Sequence, residues 1–270
     1  MIALHCTQFL SSKDELAQAI DRALRRIAKK SDPLVNVRSR VFPYLDEIAI
    51  SFDGAQFDSR PPAPPVVVGE TKLACEAAVV MLSARNVSVR GVPLDLRMEA
   101  RDVVFHQGRD GNSEVVLIAH KVRDGQIVVS AAQSDLENAI VEIGGREASR
   151  HGIVIEQVRL TTRARGARSI AADVAIRARK FLLRAKIDIS IQLDIDGDFV
   201  AKISELRCKS HGVIGSLACG ALEPYFRQLE GRTLSLKSLP LGEIQLRDIR
   251  IAVADIVELT VNFGTLNRDH

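Results

Sequence analysis

Aromatic side chains are scarce in this chain, 4% of 270 residues, and tryptophan is absent. That scarcity excludes a stacking platform for single-stranded nucleic acid, which needs successive exposed rings. Cysteine is equally sparse. Cys6, Cys75, Cys208 and Cys219 show no C-x-x-C or other metal-ligand spacing, so they read as small core residues in a reducing compartment, not as a disulfide framework or a zinc site. No apolar run approaches the ~20 residues that a membrane-spanning helix needs. The opening MIALHCTQFLSS lacks the basic start and continuous apolar region of a secretory leader, which leaves a cytoplasmic or membrane-peripheral location as the expectation. A charge excess is missing too: the net charge of +3 indicates no bulk polyelectrolyte partner and no nucleic acid.

Catalytic signatures are also lacking. The histidines at 5, 106, 120, 151, 211 and 270 have no H-x-x-x-H spacing, no G-x-S-x-G precedes a helix, and no Walker or dinucleotide glycine pattern occurs. The chain therefore reads as non-enzymatic, with no cofactor. Asp194, Asp196, Asp198 and Glu205 stand at positions one, three, five and twelve of a calcium loop, but Phe199 replaces its turn glycine and strands flank it. A solvated hairpin turn explains these residues better, and no metal is expected.

What the chain does have is aliphatic mass arranged with a period of two. Leu183, Ala185, Ile187, Ile189, Ile191, Leu193 and Ile195 alternate with Arg184, Lys186, Asp188, Ser190, Gln192, Asp194 and Asp196, the pattern of one long strand with a single apolar face. Asp196-Gly197 turns it, and a slip in the returning pattern predicts a bulge near Ser204–Glu205. Tyr44–Phe52 is a strand, and Leu73–Ala84 fits strand or helix, with strand favoured. Further extended segments follow at 87–98, 103–106, 114–120 and 126–130, the last two separated by a turn at Asp124-Gly125. The run Pro61–Pro65 is a stiff loop, and strands close the chain at 234–236, 244–253 and 256–263.

Three helices are predicted. The first spans Lys13–Lys30, with Leu16, Ile20, Ala23, Leu24 and Ile27 on one face and Ser12 with Glu15 as a capping box. Its basic second half complements the helix dipole or meets anionic headgroups. Asp135–Ile143 begins at a capping box of Ser134 with Glu137 and stops at Gly144-Gly145, with Leu136, Ile140 and Ile143 as its buried face. Val213–Leu229 is amphipathic, and Pro224 should kink it or start a second segment. Between them, Arg163, Arg165 and Arg168 occupy a segment that reads as a flexible loop. It is either a solvated face or a phosphate contact, extended by Arg177, Arg179, Lys180, Arg184 and Lys186.

The order of these elements resembles the LmeA-like phospholipid-binding family of the tubular lipid-binding (TULIP) proteins. The resemblance is carried by Ser83–Ala100 (SARNVSVRGVPLDLRMEA), Gln126–Ile140 (QIVVSAAQSDLENAI), the Ile187–Lys209 hairpin and Gly220–Val253 with LSLKSLPLGEIQLRDIRI. It implies a single α+β domain in which a long, strongly twisted antiparallel sheet curls around a few helices and leaves an apolar groove for acyl chains. The expected ligand is a phospholipid or another apolar molecule, with an anionic membrane surface as partner. Ile189, Ile191, Leu193, Leu222 and Phe226 are the expected tail contacts, and Arg163, Arg165 and Arg168 the headgroup or membrane contacts. A scaffold with a filled core and no ligand is the competing expectation.

Overall fold

The structure is a computed structural model that describes residues 1–39, 41–57, 63–89, 91–150, 152–181, 183–238 and 243–265. In chain order the first half runs β1 (Ile2–Ala3), α1 (Lys13–Leu24), β2 (Ala28–Lys29), β3 (Val35–Arg38), β4 (Tyr44–Ser51), β5 (Gln56–Phe57), β6 (Val67–Val89), β7 (Val92–Asp110) and β8 (Val115–Ala132). The second half runs α2 (Gln133–Ser149), β9 (Val154–Gly166), β10 (Ser169–Lys180), β11 (Leu183–Ile195), β12 (Val200–His211), α3 (Val213–Leu229), β13 (Thr233–Ser235), β14 (Ile244–Val253) and β15 (Ile256–Thr265). The α+β class and the dominance of antiparallel pairing agree with the sequence. The pairing of β4 with β6 is parallel.

Two sheets carry the architecture. The first is ordered β14-β15-β8-β7-β6-β4-β3, with β1 added to β8, and the second is ordered β13-β12-β11-β10-β9. On the first sheet, Ile48 pairs with Val80 and Val80 with Ala100. These residues join one buried core with Leu16, Ala19 and Ile20 of α1. The sheets meet where Ile251 N–H donates to Ala167 C=O at 2.7 Å. Ile195 and Phe199 of the second sheet's β11–β12 hairpin pack there against Ile249 and Ile251 of β14 in a smaller core.

Several expectations are corrected. The first helix ends at Leu24, not Lys30, because the Asp21 carboxylate accepts Leu34 N–H at 2.6 Å and the Arg25 side chain donates to the Lys30 and Asp32 carbonyls, which folds the chain back. Asp124-Gly125 is not a turn but lies inside β8. Gly125 pairs with Phe263, whose ring covers the position that a Cβ would occupy. The second helix runs through Gly144-Gly145 to Ser149, with the methyl end of Ile155 against Gly144. Its Ile143 is 48% exposed, not buried. Pro224 starts no second segment but lies within α3. Arg163 and Arg165 belong to β9, so no flexible loop holds them.

Cysteine is the plainest correction. Cys208 and Cys219 form a disulfide with Cα atoms 5.7 Å apart. They stand 11 positions apart in sequence, and the reversal from β12 into α3 brings them together, a proximity that sequence spacing alone does not display. Cys75 is a buried free thiol whose pKa is pushed up to about 12, first by burial and then by Glu76. Of the proline run, Pro61 and Pro62 lie outside the described residues. The Ser204–Glu205 bulge is present: pairing slips between Ser190 and Gln192, and Glu205 has φ 52°.

Candidate functional site

The second sheet has one aliphatic face. Register sets Ile189 between Val174 and Cys208, and Leu193 between Ile170 and Ile203, so their side chains share that face. Both ends of it are closed. Ala178, Ala185 and Ile187 are buried at one end, and Ile195 and Phe199 at the other. Between them Ile170, Val174, Ile176, Ile189, Ile191 and Leu193 are only half-buried.

The helices flank this strip without closing it. α2 lies along β9, where Gln133 Nε2 donates to Leu160 C=O at 2.8 Å and Leu160 N–H donates to Glu137 Oε1 at 2.7 Å. The predicted capping glutamate thus satisfies an open strand edge instead. α3 packs on β12 and β11 and is pinned there by the disulfide. Close approach requires that Gly215 have no side chain: a Cβ there would lie 2.9 Å from Ser210 Cβ. The middle of β10 is left largely uncovered between the two helices. α2 adds two exposed aliphatic side chains, Val141 and Ile143, at 37% and 48% exposure.

Of the residues expected to hold a tail, Ile189, Ile191 and Leu193 lie on this strip and Phe226 is half-buried on α3. The Leu222 side chain lies outside the described residues. The arginines are not brought to them. Arg163 pairs in register with Ala171, on the opposite face, and forms an ion pair with Asp173. Arg165 lines a cleft of about 160 Å³ on that same face with Arg163, Arg207 and Lys209. Arg168 is a structural tie: it donates to Ile249 C=O at 3.2 Å and to Asp248 at 2.7 Å, across the junction of the two sheets. The Arg168 and Arg250 guanidinium groups hold the Asp248 carboxyl below the usual carboxylate range.

Val174, Ile176 and Ile170 are functional candidates that the sequence reading does not single out. A signal is present, since Ile170, Ala172, Val174, Ile176 and Ala178 alternate with Ala171, Asp173, Ala175, Arg177 and Arg179. Alanines on both sides of that alternation dilute it.

The calcium-loop residues do not converge. The Ser169 hydroxyl donates to Asp194 at 2.5 Å and, with Gln192 and Ser204, depresses its pKa. Asp196 accepts the Asp198 and Val200 N–H groups, and Asp198 pairs with Lys237. Among the described residues no cluster of His, Cys, Asp or Glu could hold a metal ion, and no helix is long and apolar enough to cross a membrane.

A second concavity lies elsewhere. A trough of about 1020 Å³ crosses the first sheet on the face away from α1. Its lining mixes Met81 and Val128 with Arg97, Glu99, Gln126 and Glu258, so an acyl chain there would desolvate charged groups. The aliphatic strip carries no such cost. No family model, curated protein or solved structure matches the chain.

Proposed function

We propose that this chain is a non-enzymatic lipid-binding module of the tubular, LmeA-like kind, which holds an acyl chain against the strip formed by β10 and β11 between α2 and α3. One observation carries the reading: a row of aliphatic side chains stays half-buried although both of its ends are closed. Ile189 to Leu193 spans roughly 13 Å at the strand rise. That matches the ~15 Å depth of one leaflet of the hydrocarbon core, the length of chain a phospholipid offers. Each buried methylene contributes about 0.8 kcal/mol, so a chain lying along the strip binds without any specific polar contact.

Arg163 and Arg165 lie on the reverse face, and Arg168 is held at the sheet junction. The proposed role of the first two is therefore contact with an anionic surface, not a clamp on the headgroup of the same lipid. Mass spectrometry of an organic extract from pure protein tests the proposal. Lipid near one molecule per chain is the expected result. A lipid-free extract from folded protein, together with a stable protein partner, would leave the filled scaffold as the function.

A further inference from the structure

The hairpin joining β10 to β11 carries a Phe where a turn of this kind favours another residue. Lys180 pairs with Leu183, so the connection is two residues long, the setting in which Asn-Gly or Asp-Gly is preferred because φ must be positive. Phe181 instead adopts φ 52°, a left-handed conformation that is unfavourable for a bulky side chain. It is also 83% exposed, and neighbouring Leu183 is 63% exposed. Val154, the partner of Arg179 on the adjacent strand, is 54% exposed. An unfavourable backbone and unfavourable hydration thus coincide at one projecting tip.

Basic side chains surround that tip. Arg177, Lys180 and Arg184 flank it in register, and no carboxylate lies within ion-pairing distance of them among the described residues. Arg179 is the exception, paired with Glu156 at 3.1 Å. The aliphatic face then continues from the tip: Leu183, Ala185 and Ile187 lead along β11 to Ile189.

We infer that this hairpin tip is a membrane anchor: Phe181 and Leu183 enter the interface of an anionic bilayer while Arg177, Lys180 and Arg184 meet its phosphates. An apolar end ringed by cations fits an anionic lipid surface, which offers hydrocarbon and negative charge at one boundary. A nucleic acid would satisfy the cations and leave the apolar side chains in water. The inference rests on the lipid reading and adds an entrance to it, since the aliphatic rail joins the tip to the strip.

The absence of tryptophan makes the test clean. Phe181→Trp introduces the sole indole, and its emission is recorded with phosphatidylcholine vesicles with and without phosphatidylglycerol, at low and high sodium chloride. The expected result is a blue shift and protection from an aqueous quencher with anionic vesicles only, both reduced by salt. Phe181→Gly should lose most vesicle binding while keeping or gaining thermal stability, because glycine relieves the backbone. Arg177→Gln, Lys180→Gln and Arg184→Gln together should weaken binding about a hundredfold, at roughly a fivefold factor for each surface cation. Neutralising Lys13, Arg97 and Lys121, an equal loss of charge, should leave binding within about threefold, because remote charges are screened. An unshifted indole emission in Phe181→Trp, equal losses in both triple variants, or retention on nucleic acid in place of vesicles overturns the anchor. Copurified lipid that persists in Phe181→Gly separates failure of the anchor from failure of the strip.

Discussion

Gly125 shows how one residue can mislead a reading by turn chemistry. The Asp124-Gly125 pair is a good hairpin signal, yet here the glycine makes room for the Phe263 ring of the neighbouring strand. Gly125→Ala should destabilise the fold by about 1–3 kcal/mol through overpacking. Adding Phe263→Leu should recover part of that loss, a non-additivity measurable by chemical denaturation. His106 gives a residue-scale expectation of a different kind. It stacks on His120 with ring centroids 4.1 Å apart, and burial first, then the neighbouring histidine, lowers its pKa from 6.5, against a smaller opposing pull from Glu243. The folded state therefore takes up this proton less readily than the unfolded chain does. Its contribution to stability should fall as pH drops from about 6.5 towards the lower folded value. His106→Gln should flatten the slope of stability against pH over that window.

At the scale of elements, the disulfide sets the position of α3. Closing an 11-residue separation removes about 3 kcal/mol of chain entropy from the unfolded state. Reduction, or Cys208→Ser with Cys219→Ser, should lower stability by about that amount, and amide exchange should increase first in α3. Uniform exchange throughout the chain would contradict the local role of the bond. The elements themselves are unequally legible in the sequence. β11 is readable to the residue because its apolar and polar positions alternate without interruption, and the bulge follows from the slip after Ile203. The start of α1 is marked by Ser12 and Glu15, whose contacts form a cap with Ser11 included. Its end is not legible, because the helix stops at Leu24 through contacts of Asp21 and Arg25 with residues further along the chain. α2 runs past its predicted stop because Gly144 serves close packing against Ile155 and Gly145 continues the helix without capping it. β9 and β10 are hidden because arginines and alanines fill positions where a strand signal needs larger apolar side chains.

For the whole molecule, the sequence identifies one face of one strand as the candidate site, and the structure places Ile189, Ile191 and Leu193 together on it. What the sequence does not convey is which side of a sheet a distant basic segment occupies. Arg163 and Arg165 have the composition of a headgroup clamp, but strand pairing sets Arg163 on the far side of the sheet from the aliphatic strip, and Arg165 lines a cleft with it there. On the proposed function, the basic face and the hairpin tip would meet an anionic surface, and the aliphatic face opposite would hold the acyl chain. The most direct measurement is the lipid content of pure Ile189→Phe protein set beside wild type and Met81→Phe, which alters the trough of the first sheet, with thermal stability recorded for each. Ile189→Phe should lose most of its extractable lipid while its stability changes by less than about 1 kcal/mol, and Met81→Phe should retain its lipid. A destabilised Ile189→Phe with lipid content equal to wild type would place Ile189 in a closed core, where overpacking costs about 1–3 kcal/mol, and would contradict the account.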